Sequence, residues 1–265
     1  VASAVAGLDP LGLSQGNFLV IASLAGVFGG FVRSYSGFGF ALAAVPVLCL
    51  VMPPVGAIPA VLPVELAIGL LTLPGERSRV AWTALTWLVL GTLVGTPIGV
   101  ALLSRIPAEQ MRIAISLVVI LAVVILWRRP RLPLDMLGRP ALAVAGLTSG
   151  LFNGGTAMGA PPAIIAILGS PLDPRDARAT LVAFVAFSAA LGTALGIATG
   201  LLNEASLGTT LAMAPGAALG GFLGIRIFAR TAPESYRGHS LAILLIVSIS
   251  ASGSAAFVLM RSLYY

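Results

Sequence analysis

The chain has 265 residues, of which 58% are hydrophobic and 9% charged, with a mean hydropathy of +1.05. Soluble domains carry roughly a quarter charged residues, so this chain lacks the polar surface to cover a water-exposed globule; a cytosolic enzyme, a disordered chain and a secreted disulfide scaffold are excluded. The net charge of +6 is no nucleic-acid footprint either, because all 15 basic residues are Arg, set singly or in small groups between apolar runs, as topology signals are.

What remains is an all-α polytopic membrane protein. At ~20 apolar residues per crossing the length allows roughly eight to ten segments. Runs such as 113–127 and 241–249 are apolar all round, unlike the alternating strands of a membrane barrel. Residues 1–16 lack a basic n-region, so a short surface segment is expected there rather than a signal peptide. Gly, Pro and charge then punctuate five segments over 17–33, 37–51, 54–73, 80–104 and 108–127, together a first transmembrane repeat, 17–127. The lone Cys49 lies in one of these runs and reads as a buried thiol. A basic, Pro-rich stretch, 128–140, reads as a cytoplasmic linker. A second repeat, 141–261, follows with segments 141–153, 156–169, 175–200, 206–229 and 239–260.

The halves match residue by residue. Gly26, Gly30, Gly39, Ala43, Leu48, Pro54 and Ala57 fall on Gly146, Gly150, Gly159, Ala163, Leu168, Pro174 and Ala177, a shift of 120. Beyond an insertion near 194–206, Gly91, Gly95, Gly99, Arg105, Glu109 and Arg112 fall on Gly216, Gly220, Gly224, Arg230, Glu234 and Arg237, a shift of 125. Duplication explains this better than chance. An odd number of segments per half predicts that the second repeat is inverted. With the linker inside, Arg77, Arg79, Arg128, Arg129, Arg131, Arg139, Arg175, Arg178, Arg226, Arg230 and Arg237 fall on the cytoplasmic side, and only Arg105, Arg112 and Arg261 fall outside. The positive-inside rule therefore favours inversion, with both termini outside.

Glycines at four-residue spacing, Gly91/Gly95/Gly99, Gly192/Gly196/Gly200 and Gly216/Gly220/Gly224, are expected to let helices approach closely in lipid. Glu109 and Glu234 each follow a proline near a helix start, where a carboxylate suits the dipole.

The first two segments of each half are short; 141–153 and 156–169 span roughly 20 Å each, less than the ~30 Å hydrocarbon core. Between them lie Arg33-Ser-Tyr-Ser-Gly-Phe-Gly39 and Asn153-Gly-Gly-Thr-Ala-Met-Gly159 at equivalent repeat positions. Interrupted helices at matching places in two inverted halves point to a transporter site near the midplane. Arg33, Ser34, Tyr35, Ser36 and Gly37 from one break, with Asn153, Gly154, Gly155 and Thr156 from the other, form a candidate binding site for a small oxyanion. The bland alternative is a pair of surface turns with Arg33 snorkelling to the interface. Glu65 sits mid-segment, far from any basic residue in the sequence. It is either a proton-coupling carboxylate or partner of Arg33, or a buried, hydrogen-bonded acid. With one His, His239, one Cys and no acidic cluster, no metal-ligand set is visible, and no cofactor motif is found.

The stretches GVFGGFVRSYSGFGFALAAVP (26–46) and GLTSGLFNGGTAMGAPPAIIAIL (146–168), with the glycine-spaced helices at 91–99 and 216–224, resemble the sulfite exporter TauE/SafE family over roughly 17–261. The chain departs from the usual glycine-dense forms at Gly37-Phe-Gly39-Phe and Ala157-Met-Gly159-Ala. The resemblance implies a bacterial inner-membrane permease exporting sulfite or small organosulfonates. The expected partners are a small anionic substrate and the lipid bilayer, with no nucleic acid and a homo-oligomer left open. A proton-driven secondary transporter is the leading expectation; an anion channel and, far behind, an intramembrane enzyme are the competitors.

Overall fold

Proline and glycine set most of the helix ends. Pro54 and Pro174 occupy first helical positions of α3 (Pro54–Glu76) and α8 (Pro174–Ala198), where the missing N–H costs nothing. Ser14 caps α1 (Gln15–Ser36) by accepting from the Asn17 N–H at 3.4 Å. The other helices are α2 (Phe40–Val51), α4 (Trp82–Leu103), α5 (Ala108–Arg128), α6 (Arg139–Thr156), α7 (Ala160–Leu168) and α9 (Glu204–Arg230), with one 3₁₀ turn over Arg77–Arg79. The computed structural model describes residues 14–128, 138–168, 170 and 172–230. The expected last segment (239–260), Glu234, Arg237, His239, Arg261 and most of the linker lie outside the described residues.

Five of the described helices, α1, α3 with its 3₁₀ extension, α4, α8 and α9, are long and apolar enough to cross a membrane. Large apolar side chains face outward on them, up to Leu71 at 83% exposed, which only a lipid surround makes tolerable. The chain is a multi-pass, all-helical membrane protein.

Three expectations need correction. The first segments are longer than read: α1 and α6 continue through Arg33–Ser36 and Asn153–Thr156, and the non-helical backbone shrinks to 37–39 and 157–159. Hydroxyls in an apolar helix are satisfied internally, as Thr156 Oγ1 donates to Phe152 O at 2.7 Å, so polar side chains do not break it. Arg139 and Pro140 belong to the first turn of α6 rather than to the linker. Finally, Gly192, Gly196 and Gly200 form no helix-packing stripe: Gly192 meets Leu62 and Asn153, Gly196 meets Leu202, and Gly200 lies beyond the helix with φ +71°.

The other two glycine rows do pack helices. Gly91, Gly95 and Gly99 of α4 face Ala143, Leu147 and Leu151 of α6, while Gly216, Gly220 and Gly224 of α9 face Ser23, Val27 and Phe31 of α1. Numbers rise together in both pairs, so each runs parallel. A Cβ at any of these six would meet backbone of the facing helix. Hydroxyls bridge the same seams: Ser23 Oγ donates to Ala212 O and Thr92 Oγ1 to Gly146 O, each at 3.0 Å. Bonds of this kind contribute about 0.6 kcal/mol each in membranes. Each pair joins the first helix of one half to the fourth of the other. The third helices, α3 and α8, run antiparallel, with Leu62 beside Gly192, Gly69 against Ala186 and Glu76 meeting Arg178.

The short helices sit inside this frame. In α2 nearly every residue from Phe40 to Val51 is buried, packed with Ile58, Met111 and Val119. Around α7, Ile164 and Ile167 pack with Leu88 and Phe184. Irregular backbone at membrane depth needs such a protein surround.

Candidate functional site

Both breaks use the same backbone device. Gly37 takes a left-handed conformation (φ 87°) and donates its N–H to Arg33 O at 2.8 Å; Ala157 does the same (φ 59°) towards Asn153 O, also at 2.8 Å. The 120-residue correspondence read from the sequence thus extends to the caps. A left-handed alanine costs roughly 1–2 kcal/mol, and Thr156 steadies it by accepting the Met158 N–H at 3.3 Å across the break.

The two breaks converge on one cavity. Gly39 comes from the first with Leu42 of α2 beside it, Met158 and Gly159 from the second with Asn153 of α6, Glu65 from α3, and Phe184, Val185 and Ser188 from α8. The space open to a water's centre is about 10 Å³, enough for about one water and too little for a sulfur oxyanion. Asn153 is 2% exposed and donates from Nδ2 to Ser188 O at 2.8 Å, which fixes its carboxamide on the cavity wall.

Among the described residues Arg33 and Glu65 are the buried charges, 2% and 4% exposed. All three guanidinium nitrogens of Arg33 are buried, with no hydrogen-bond partner among the described residues. Glu65 and Arg178 are the charges acting on it most strongly. A buried guanidinium without an acceptor is expensive, and two oxygens of an oxyanion can accept from its parallel N–H groups.

The other sequence candidates divide. Ser34 faces α9 at Gly221 and Gly224, and Tyr35 is buried with its ring stacked on Phe31 at 6.0 Å. Ser36 is the last residue of α1, and Gly37 lies under the Arg178 side chain. Gly154 and Gly155 lie against α4 near Thr96 and Gly99, so close helix contact accounts for them. Thr156 stitches the break. Asn153 and Glu65 line the cavity itself.

A family model described as sulfite exporter TauE/SafE matches residues 22–251. The chain belongs to that family. No curated protein and no solved structure matches it. Members of the TauE/SafE family are membrane transporters of sulfite and related sulfur anions rather than enzymes, and the span matched takes in both breaks, Glu65 and the whole of α8.

The sequence reading missed the part of the TauE/SafE chain that α8 supplies. Phe184, Val185 and Ser188 sit in an apolar helix with nothing to mark them. One signal was present: Val185 is the repeat counterpart of Glu65, so a cavity between related halves would place both on its wall.

Proposed function

We propose that the protein is a secondary transporter that exports a small sulfur-containing anion, such as sulfite or an organosulfonate, across the bacterial inner membrane. The carrying observation is the convergence of two matched helix breaks, Asn153 and Glu65 on one small cavity, with a buried guanidinium that feels the charge of Glu65 and has no hydrogen-bond partner among the described residues. In this reading Arg33 holds the oxyanion, Asn153 and the break backbone complete its hydrogen bonding, and Glu65 couples transport to the proton gradient. The two halves are inverted repeats with both termini outside. The antiparallel run of α3 against α8, which are repeat counterparts, supports that topology. The 10 Å³ cavity favours alternating access over an open pore.

The test is a panel of small anions assayed for thermal stabilisation of the purified protein. Sulfite or an organosulfonate raises the unfolding temperature, and Arg33→Ala abolishes that shift. A shift that Arg33→Ala leaves intact overturns the assignment.

A further inference from the structure

Arg178, at the start of α8, touches two things at once. Its Nη1 lies 3.3 Å from Glu76 Oε1 at the end of α3. Its stem and Nε run over Gly37, with Cγ and Nε 3.5 and 3.3 Å from where a Cβ would stand. Gly37 caps the turn that carries Arg33, so a half-exposed cation covers the end of the helix whose last turn holds the buried one. A second pair, Arg79 with Asp176 at 3.7 Å, borders the same end of α3 and α8.

The other half has no equivalent. At the 120-residue shift Arg178 falls on Ile58, which is 1% exposed. One end of the α3–α8 crossing is closed by ion pairs and the corresponding place by an apolar side chain.

We propose that Arg178 is the access site for the anion on this face: the arriving oxyanion displaces the Glu76 carboxylate from Arg178, loosens the crossing of α3 with α8, and moves on to Arg33. The inference rests on the anion-transport reading above and adds the residues that govern approach from one side. A carboxylate and a sulfur oxyanion offer a guanidinium the same acceptor geometry, so the exchange keeps Arg178 paired throughout. A charge at the rim of a site acts on arrival and on salt dependence more than on final affinity.

The experiment measures sulfite transport in vesicles of both orientations, with thermal stabilisation by sulfite as the equilibrium readout. Arg178→Gln raises KM about tenfold from the face bearing Arg77, Arg79 and Arg178, with KM from the opposite face and the thermal shift within about twofold of the parent. Arg178→Lys, which keeps the charge, stays near the parent value. Glu76→Gln lowers KM from the same face, because the anion no longer competes with a carboxylate. The reversed pair, Glu76→Arg with Arg178→Glu, restores the ion pair and the stability but not the low KM, which separates anion recognition from structural support. A thermal shift lost with Arg33→Ala, together with a KM that Arg178→Gln leaves unchanged or raises equally from both faces, overturns this proposal alone. A sulfite shift that survives Arg33→Ala overturns the parent reading and this one with it.

Discussion

Gly99 of α4 is the point where a single methyl group should separate helix packing from helix propensity. It lies against the last turns of α6, and a Cβ there would meet Leu151 O, stand 2.7 Å from Gly155 N and 3.0 Å from Gly154 Cα. All three neighbours are backbone, so none can swing aside; α4 and α6 must separate. Overpacking of this kind costs about 1–3 kcal/mol, against the ~0.5–1 kcal/mol that Gly→Ala gains in a helix interior. The net for Gly99→Ala is a loss of about 0–2.5 kcal/mol. Gly75, near the end of α3, is the control, since nothing lies within 4 Å of its Cβ position; Gly75→Ala gains roughly 0.5 kcal/mol. Unfolding of the two variants in detergent, followed by circular dichroism against the parent, reads both signs. The argument fails if Gly99→Ala matches or exceeds Gly75→Ala in stability, because the close parallel approach of α4 and α6 would then not be a tight one.

Two further predictions concern the cavity. Glu65→Gln keeps the shape of the side chain and removes its ionisation, so transport measured across imposed pH gradients loses its dependence on the gradient; an unchanged dependence refutes the coupling role. Asn153→Leu removes the 2.8 Å bond to Ser188 O and is expected to cost about 1 kcal/mol of stability and to raise KM for sulfite, and a variant with parent stability and parent KM would show that the carboxamide anchors neither the break nor the anion.

The sequence revealed the breaks because glycine and charge stand out in an apolar chain. Arg33, Gly37 and Gly39 mark one turn, Asn153 and Gly159 mark the other, and the 120-residue shift ties them together. Their extent was harder to see. Ser34, Ser36 and Thr156 look like helix breakers by composition, yet the helices run through all three positions, and the Thr156 hydroxyl bonds back to Phe152 O one turn earlier. Ala157 gives no composition signal for a left-handed residue at all; only its register against Gly37 does. The α8 wall is illegible for a different reason. A cavity-facing Val185 or Phe184 obeys the same apolar rule as a lipid-facing one, so which face of an apolar helix turns inward is decided by its antiparallel crossing with α3.

In the inverted-repeat reading proposed above, duplication also accounts for how few the polar groups are. The two halves then supply matching caps and glycines to both sides of the cavity, so its geometry is specified twice. Its charge is not: Arg33 stands where the other half has Asn153, and Glu65 where it has Val185. Each ionised group held at membrane depth costs several kcal/mol unless paired, and a symmetric set would bury two guanidinium groups and two carboxylates in place of one of each. One Arg and one Glu are the smallest set that offers an anion a cation while leaving the buried charges balanced without it. In the transport reading this makes Glu65 the group that gives way, by taking a proton or by moving, when the anion binds.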